Sequence, residues 1–140
     1  MLVCVGLRGV IDWEMTDGAY NGDLFIDFFR RLCPKMPANA ILIMDNAAFH
    51  RRDDVRRLLE ENATLTRYLP PYSPQLNPIE EFFAMLKARQ SKLRPRPKTR
   101  ESLKAGLVQV MADVENYDLS RFYEHMRKFV GIGLACQPFT

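Results

Sequence analysis

Two acidic residues stand where a carboxylate can meet a substrate or a metal ion. Asp45 directly follows the apolar run from Ala40 to Met44, and Glu80 comes shortly after the dipeptide Asn77-Pro78, a typical helix start. In parallel sheets, ligands bind beyond the carboxyl ends of the strands, where Asp45 would lie. Phosphodiester chemistry with two metal ions needs carboxylates that converge on ions about 4 Å apart. The two acids could therefore hold hard cations such as Mg²⁺ or Mn²⁺, which prefer oxygen ligands.

Each of these acids also has a purely structural interpretation. Asp45 could open a turn, as Asp and Asn commonly do after strands. Glu80 comes three residues after the cap Asn77, where a capping-box Glu folds back on the helix start. The neighbouring Glu81 points about a quarter turn away from Glu80, so we expect it to be solvated or to lie just outside the site. The residues alone leave these alternatives open.

Apolar residues recur at spacings that predict strands and helices on both sides of Asp45 in the sequence. The run from Ala40 to Met44 is continuous and of strand length, which predicts a strand buried on both faces. A strand, a helix and a second strand in succession imply a parallel pair joined by a right-handed crossover. The other predicted elements of this half are a hairpin of Leu2 to Leu7 with Val10 to Met15, a helix over Leu24 to Leu32, a helix with apolar residues Val55, Leu58 and Leu59, and a strand from Thr64 to Leu69.

Prolines and capping residues organise the second half of the chain. The prolines between Pro70 and Pro74 force an extended loop, after which Asn77 caps a helix. Two further helices are predicted at about 99–114 and around 119–130. Aromatic residues in these helices recur at helical spacing, so core packing is expected rather than base stacking. They are Phe82, Phe83, Phe122 and Tyr123.

Two longer segments are ILIMDNAAFH at 41–50 and LPPYSPQLNPIEEFFAMLK at 69–87, with 34 residues between Asp45 and Glu80. Both segments resemble the signature blocks of DDE transposases of the mariner-like and bacterial insertion-sequence group, and the spacing matches that of the group. The resemblance extends from about residue 1 to about residue 92. It implies an α/β, RNase H-like fold, a mixed sheet flanked by helices.

The resemblance also implies roles for individual residues. Asp45 corresponds to the second catalytic carboxylate and Glu80 to the third, and both would bind the metal ions, two Mg²⁺ or Mn²⁺ in the intact family. Asn46 and His50 match the Asn and His that accompany the second acid, which places them near the site without a metal-binding role. His50 could equally be a lone exposed residue where a helix begins. The implied reaction is metal-assisted DNA cleavage and strand transfer, the steps of transposition and DNA integration.

The family's first carboxylate has no counterpart that we recognise. In the family it lies on a central strand before the hairpin, so we expect residues 1–140 to form a single, N-terminally truncated domain with a core portion at 1–92 and a basic linker with C-terminal helices at 93–140. Asp12, in the hairpin, and Asp17, in the turn after it, are not expected to replace the missing group. A missing central strand would leave a gap with two open edges, which favours pairing with another chain, such as a homodimer.

Two other functions remain open. One is a catalytically inactive remnant that binds DNA or self-associates, which the missing first carboxylate favours. The other is a non-transposase RNase H-like nuclease, such as a resolvase, against which the proline-rich block before Glu80 argues.

Positive charge is concentrated in one segment. Seven of the 20 basic residues lie between Lys87 and Arg100, where no acid occurs, so the net charge of +3 understates the local charge. Such a run beside a carboxylate site would bind the DNA phosphate backbone nonspecifically and with strong salt dependence. The alternative is a solvated linker. The residues of this basic segment are Lys87, Arg89, Lys92, Arg94, Arg96, Lys98 and Arg100.

Composition limits the class of protein. With 140 residues and 47% hydrophobic content the chain can form one domain with a core. The spacings of Cys4, Cys33 and Cys136 match neither a zinc site nor a disulfide framework, so reduced thiols are predicted. The sequence shows neither a secretory leader nor a membrane-spanning run. We expect an intracellular protein, nuclear in a eukaryote or cytoplasmic in a bacterium, with no membrane partner and no small-molecule cofactor.

Overall fold

The strands and helices follow the predicted order. A computed structural model describes residues 1–135, and the observed elements begin and end close to their predicted bounds. The strands are β1 (Leu2–Gly6), β2 (Gly9–Glu14), β3 (Ile41–Met44) and β4 (Leu65–Tyr68), and the helices are α1 (Gly22–Leu32), α2 (Asp53–Glu61), α3 (Pro78–Ser91), α4 (Arg100–Val114) and α5 (Ser120–Leu134). None of the helices in this part of the chain has the length and apolar composition needed to span a bilayer.

The chain divides into two compact units. The first unit comprises Met1–Cys4 and Ile11–Ser73, and the second comprises Val5–Val10 and the chain from Pro74 onward. The first unit carries β3, β4, α1 and α2, and the second carries α3, α4 and α5. The predicted single domain, with a core portion at 1–92, stays a prediction.

The strands form two separate two-stranded sheets. β1 pairs with β2, and β3 pairs with β4 in parallel, with Ile41 opposite Leu65 and Met44 opposite Tyr68. The connection between β3 and β4 contains α2, as the strand, helix, strand pattern predicts. Among residues 1–135 no strand joins the two sheets, and the predicted absence of a central strand through truncation stays a prediction.

The burial of β3 differs from the prediction. Met44 is buried and Leu42 half-buried, but Ile41 and Ile43 are 54% and 49% exposed. Because successive side chains of a strand point to opposite faces, Ile41 and Ile43 share one face, and that face remains in solvent. The prediction of a strand buried on both faces is wrong, since the helices of the first unit pack against only the face that carries Leu42 and Met44.

One apolar cluster holds the first unit together. The α1 residues Phe25 and Phe29 pack with Met44 of β3 and with Val55 of α2, and both Phe29 and Val55 are completely buried. Half-buried residues of β1 and β2 pack against the same cluster, so α1 covers strands of both sheets. Each fully buried apolar side chain of this size contributes about 1.5–3 kcal/mol. This packing fixes the carboxyl end of β3, where Asp45 follows.

The second unit is a helical cluster closed by the hairpin tip. Its core contains apolar side chains of α3 and α4, such as Phe82 and Val114, which are completely buried. The Val10 N–H donates to the Glu115 carbonyl oxygen at 3.0 Å, and the Leu119 N–H donates to the carbonyl oxygen of Leu7 at 3.0 Å. The hairpin tip is thereby bonded to the connection between α4 and α5.

Gly9 is required at the hairpin turn. Its φ of +132° lies in a region that other residues rarely adopt, and a Cβ atom there would lie 2.3 Å from the Glu115 carbonyl oxygen. The backbones approach closely only because this position has no side chain.

Candidate functional site

Asp45 lies directly after β3, at the carboxyl end of the parallel pair. Its side chain is 59% exposed. Oδ1 accepts a hydrogen bond from the Ala47 N–H at 3.2 Å and lies 2.8 Å from Nδ1 of His50. Oδ2 has no hydrogen-bond partner among residues 1–135. Asp45 therefore opens a turn, as the structural alternative predicts, and still keeps one carboxylate oxygen available.

Pairing between the strands holds the turn after Asp45 in place. The Leu69 N–H donates to the Met44 carbonyl oxygen at 2.8 Å, which extends the pairing to the end of β3. The Tyr68 hydroxyl donates to the His50 carbonyl oxygen at 3.0 Å. The segment between β3 and α2 is thus attached to β4, which limits how far Asp45 can move.

His50 is buried, contrary to the alternative of a lone exposed residue. It is 8% exposed, and its ring lies 4.7 Å from the Phe25 ring and 4.2 Å from the Phe49 ring, centroid to centroid. Its Nδ1 also lies 3.3 Å from the Asp45 carbonyl oxygen. Asn46 is half-buried, and its side chain has no hydrogen-bond partner in the described part of the chain. The structure therefore brings His50, but not the Asn46 amide, into polar contact with Asp45.

Glu80 lies in the first turn of α3. Asn77 caps this helix by accepting a hydrogen bond from the Ile79 N–H at 3.3 Å, and Pro78 is the first helical residue, as predicted. The Glu80 side chain does not complete a capping box, and it is exposed with no hydrogen bond or ion pair to the described residues. The capping interpretation of Glu80 is therefore wrong, and its carboxylate is available to a ligand.

Glu81 is engaged within the second unit. It is half-buried, and its carboxylate contacts Nδ1 of His125 on α5. The His125 ring lies against Phe129, with the ring centroids 5.1 Å apart. Sequence reasoning missed His125, because it lies 44 residues from Glu81 and no local pattern connects them.

Asp45 and Glu80 belong to different units, so their predicted sharing of metal ions stays a prediction. Within residues 1–135, no three His, Cys, Asp or Glu side chains are grouped so that they could hold a metal ion. Each of the two carboxylates nevertheless retains an oxygen that accepts no hydrogen bond from this part of the chain.

Asp12 has a structural role. It is buried in β2, and it forms ion pairs with Arg31 at 2.8 Å and with Lys35 at 3.1 Å. Burial by itself would raise the pKa of Asp12, but hydrogen bonds from Lys35 and Arg31 and from the Trp13 N–H outweigh it and hold the pKa below its ordinary value. Asp17, the other early acid, is exposed in a bend after β2.

We expect Asp12→Asn to lower the free energy of unfolding by about 1–3 kcal/mol at neutral pH, since it weakens two charge-assisted hydrogen bonds in a buried position. Because the folded-state pKa is depressed, this contribution is complete above the ordinary Asp pKa of about 3.9 and is lost as the pH falls through the folded value. Urea unfolding at neutral and at acidic pH measures both effects.

Asp27→Asn is the matched control for this experiment. Asp27 is exposed and forms a surface pair with Arg30 at 3.5 Å, so its replacement should change stability by less than about 0.5 kcal/mol at either pH. An Asp12→Asn cost that stayed the same in acid would contradict the role given to the Asp12 charge.

The described cysteines are free thiols. Burial, with a further contribution from the negative charge of Asp12, raises the pKa of the Cys4 thiol to about 11, so the thiol is protonated at neutral pH. Cys33 is half-buried and unpaired to another cysteine. Both agree with the predicted reduced thiols, and Cys136 lies outside the described residues.

The basic segment runs from the last turns of α3 through the linker to the first residue of α4, and all seven of its residues are exposed. Arg89 lies over the ring of Tyr117, 5.5 Å from its centroid, and Arg94 donates to the Ser91 carbonyl oxygen at 3.1 Å. Six side chains of the segment form no ion pair with acids in the described part of the chain, and these are Lys87, Arg89, Lys92, Arg94, Arg96 and Lys98. Their charges are therefore not neutralised internally.

Comparison with known proteins identifies related folds. Residues 1–104 match the family model described as DDE superfamily endonuclease, so the match continues beyond residue 92, where the sequence resemblance was expected to fade. The catalytic domain of Mos1 mariner transposase has a TM-score of 0.81 and 21% identity, over 99% of this chain and 74% of that chain. Mos1 catalytic domains with Raltegravir and Mg or Mn give TM-scores of 0.75 and 0.76 at 22% and 20% identity, over 99% of this chain and 75% of theirs. These likenesses confirm the α/β, RNase H-like fold, and no curated protein sequence matches the chain.

Proposed function

Because the chain belongs to the DDE superfamily endonucleases, we propose that it supplies Asp45 and Glu80 as two metal-binding carboxylates of a transposase-type catalytic site. The observation that carries this proposal is that both side chains, one after a strand and one in the first turn of a helix, keep carboxylate oxygens without partners in the described residues. These oxygens are therefore open to a ligand on elements whose positions match the resemblance.

The chemistry of these donors fits a hard divalent cation. Oδ2 of Asp45 and the carboxylate of Glu80 are anionic oxygen donors, which Mg²⁺ and Mn²⁺ prefer. Mos1 catalytic domains have been solved with Mg and with Mn, which supports the same choice of metal for this chain. When bound, such ions polarise the phosphodiester and lower the pKa of an attacking hydroxyl.

The residues of the chain would position these carboxylates. The Ala47 N–H bond to Oδ1 fixes Asp45 on a turn that is itself attached to β4, and the Asn77 cap fixes the start of the helix that carries Glu80. In a complete site, DNA cleavage by water and then attack by a DNA 3′-hydroxyl would constitute transposition and DNA integration.

The basic segment is proposed to bind the DNA phosphate backbone. Its exposed cations lie on the carboxyl-terminal part of the helix that carries Glu80 and in the linker after it, and those without acidic partners can pair with phosphates. Contacts to phosphates do not depend on base sequence, so binding would be nonspecific. An intracellular location, in the nucleus of a eukaryote or the cytoplasm of a bacterium, follows from this partner.

A second candidate function is a DNA-binding or self-associating module without catalysis. It is favoured by the absence of any group of three potential metal ligands in residues 1–135. Open edges of the two short sheets would allow a homodimer to form by strand pairing, which sedimentation of the chain would detect.

A nicking assay on supercoiled plasmid with Mg²⁺ or Mn²⁺ separates the two functions. For the 140 residues alone we expect DNA binding without nicking, because two carboxylates leave the ions short of a protein ligand. Nicking by the unchanged chain that disappears in both Asp45→Ala and Glu80→Ala would establish catalysis by this chain. Nicking that persists in both variants would refute the proposed site.

A further inference from the structure

We infer that His50 is a positioning residue for Asp45, holding one carboxylate oxygen so that the other faces a divalent ion. This inference rests on the proposed function, since it assigns Asp45 to a metal. It adds a role that the resemblance leaves undefined, and it follows from the surroundings of the imidazole ring.

The first step concerns the proton on the ring. Nδ1 of His50 lies 2.8 Å from Oδ1 of Asp45 and 3.3 Å from the Asp45 carbonyl oxygen. A carbonyl oxygen and an ionised carboxylate oxygen can only accept hydrogen bonds. Nδ1 must therefore carry a hydrogen, whether the ring is neutral or charged; it donates to the Asp45 carbonyl oxygen, with Oδ1 in close polar contact beside it.

The second step concerns the rigidity of the ring. His50 is 8% exposed, and it packs edge-on against the rings of Phe25 and Phe49. The Tyr68 hydroxyl bonds to the His50 carbonyl oxygen and so restrains its backbone. A side chain that served only to fill this apolar space would not need a donor directed at a carboxylate that is 59% exposed.

The third step concerns what remains free on Asp45. Oδ1 is approached by two N–H groups, those of Ala47 and of the His50 ring, whereas Oδ2 has no partner in the described residues. The hydrogen bond from Ala47 and the close polar contact with the His50 ring both oppose rotation of the carboxylate, so Oδ2 keeps one direction. A carboxylate that is already oriented binds a metal ion more tightly than one that must be ordered first. Residues that orient a metal ligand by hydrogen bonding typically increase metal affinity about 10–100-fold.

Three variants of the full chain test this role by Mn²⁺ titration, with free Mn²⁺ followed by electron paramagnetic resonance. His50→Phe keeps an aromatic ring against Phe25 and Phe49 but removes the donor, and we expect Mn²⁺ affinity to fall about 10–100-fold. His50→Asn restores an N–H near the position of Nδ1 and should recover most of that loss. His50→Gln places its amide near the position of Nε2 and should not. Equal Mn²⁺ affinity in the unchanged chain and His50→Phe would overturn the inference.

A second measurement does not depend on metal or on the variants folding. Long-range ¹H–¹⁵N correlation spectra of the unchanged chain at alkaline pH show which ring nitrogen carries the hydrogen. We expect Nδ1–H, and a ring protonated only at Nε2 would overturn the inference even if Mn²⁺ binds. If Nδ1–H is observed but the unchanged chain binds no Mn²⁺, the proposed metal site fails as well. If the unchanged chain and His50→Phe bind Mn²⁺ equally, only the role of His50 fails.

Discussion

Replacing either Asp45 or Glu80 with alanine should weaken Mn²⁺ binding to the chain by about 100-fold or more, on the order of 3 kcal/mol. The expected loss exceeds that of residues that merely support a metal ligand, about 10–100-fold, because a direct anionic ligand is removed. Isothermal titration calorimetry with Mn²⁺ measures the affinities. Both side chains are exposed and neither belongs to an apolar core, so the substitutions should leave the cores of the two units intact.

Matched controls separate site binding from general loss of negative charge. Glu61→Ala on α2 and Asp113→Ala on α4 remove one exposed acid from the first and the second unit, respectively, and should leave the affinity unchanged. If the Mn²⁺ affinity fell as much in the controls as in the site variants, Mn²⁺ binding would be due to surface charge in general.

The double variant tests whether the two acids share ions. If Asp45 and Glu80 hold the same ions, removing one already abolishes most of the binding, so the second removal adds little. If each binds independently, the losses add. Additive losses would contradict the central prediction that residues 45 and 80 form one site.

Replacing Arg94, Arg96 and Lys98 with alanine should lower the affinity for duplex DNA by about 30–100-fold at low salt and reduce the slope of log K against log salt by about 2–3. Each lost phosphate contact releases about one counterion fewer, which gives the change in slope. Fluorescence polarisation with labelled duplexes of two unrelated sequences measures affinity and shows whether the loss is the same for both.

Two control variants accompany this measurement. Arg57, Arg121 and Lys128 are exposed basic residues outside the basic segment, and their joint replacement by alanine removes the same net charge. In the second control, Arg94 and Arg96 are replaced by Lys, and Lys98 by Arg. This variant keeps the positive charges but alters the side chain with which Arg94 donates to backbone carbonyls. An equal loss of DNA affinity in the first control would show that overall charge, not this segment, binds DNA.

Local signals in the sequence predicted the elements that carry the candidate site. The apolar run before Asp45 predicted β3, and Asn77-Pro78 predicted the start of α3 where the side-chain cap is observed. These predictions succeeded because strand length, helix caps and proline geometry depend on neighbouring residues. The same local reasoning produced the capping interpretation of Glu80. That interpretation is wrong because Asn77 caps the helix without a reciprocal hydrogen bond to the Glu80 side chain.

Contacts between distant residues were not predictable in this way. An apolar strand pattern does not say whether one face or both are covered, so the exposure of Ile41 and Ile43 was missed. The burial of His50 depends on Phe25, which lies in another helix, and the ion pair of Asp12 depends on Arg31, 19 residues away. Such features follow from tertiary packing, for which a single sequence carries no periodic signal.

The bonds between the hairpin tip and the α4–α5 connection affect how the nascent chain folds. The Val10 N–H donates to the Glu115 carbonyl oxygen. At a synthesis rate of about 5–20 residues per second, Glu115 is added roughly 5–20 s after Val10. The residues of the first unit are all synthesised by the end of that interval, whereas the second unit closes late, through contacts of large sequence separation that slow folding. A ribosome that stalls before residue 115 would therefore hold a chain whose hairpin tip still lacks its hydrogen-bond partner.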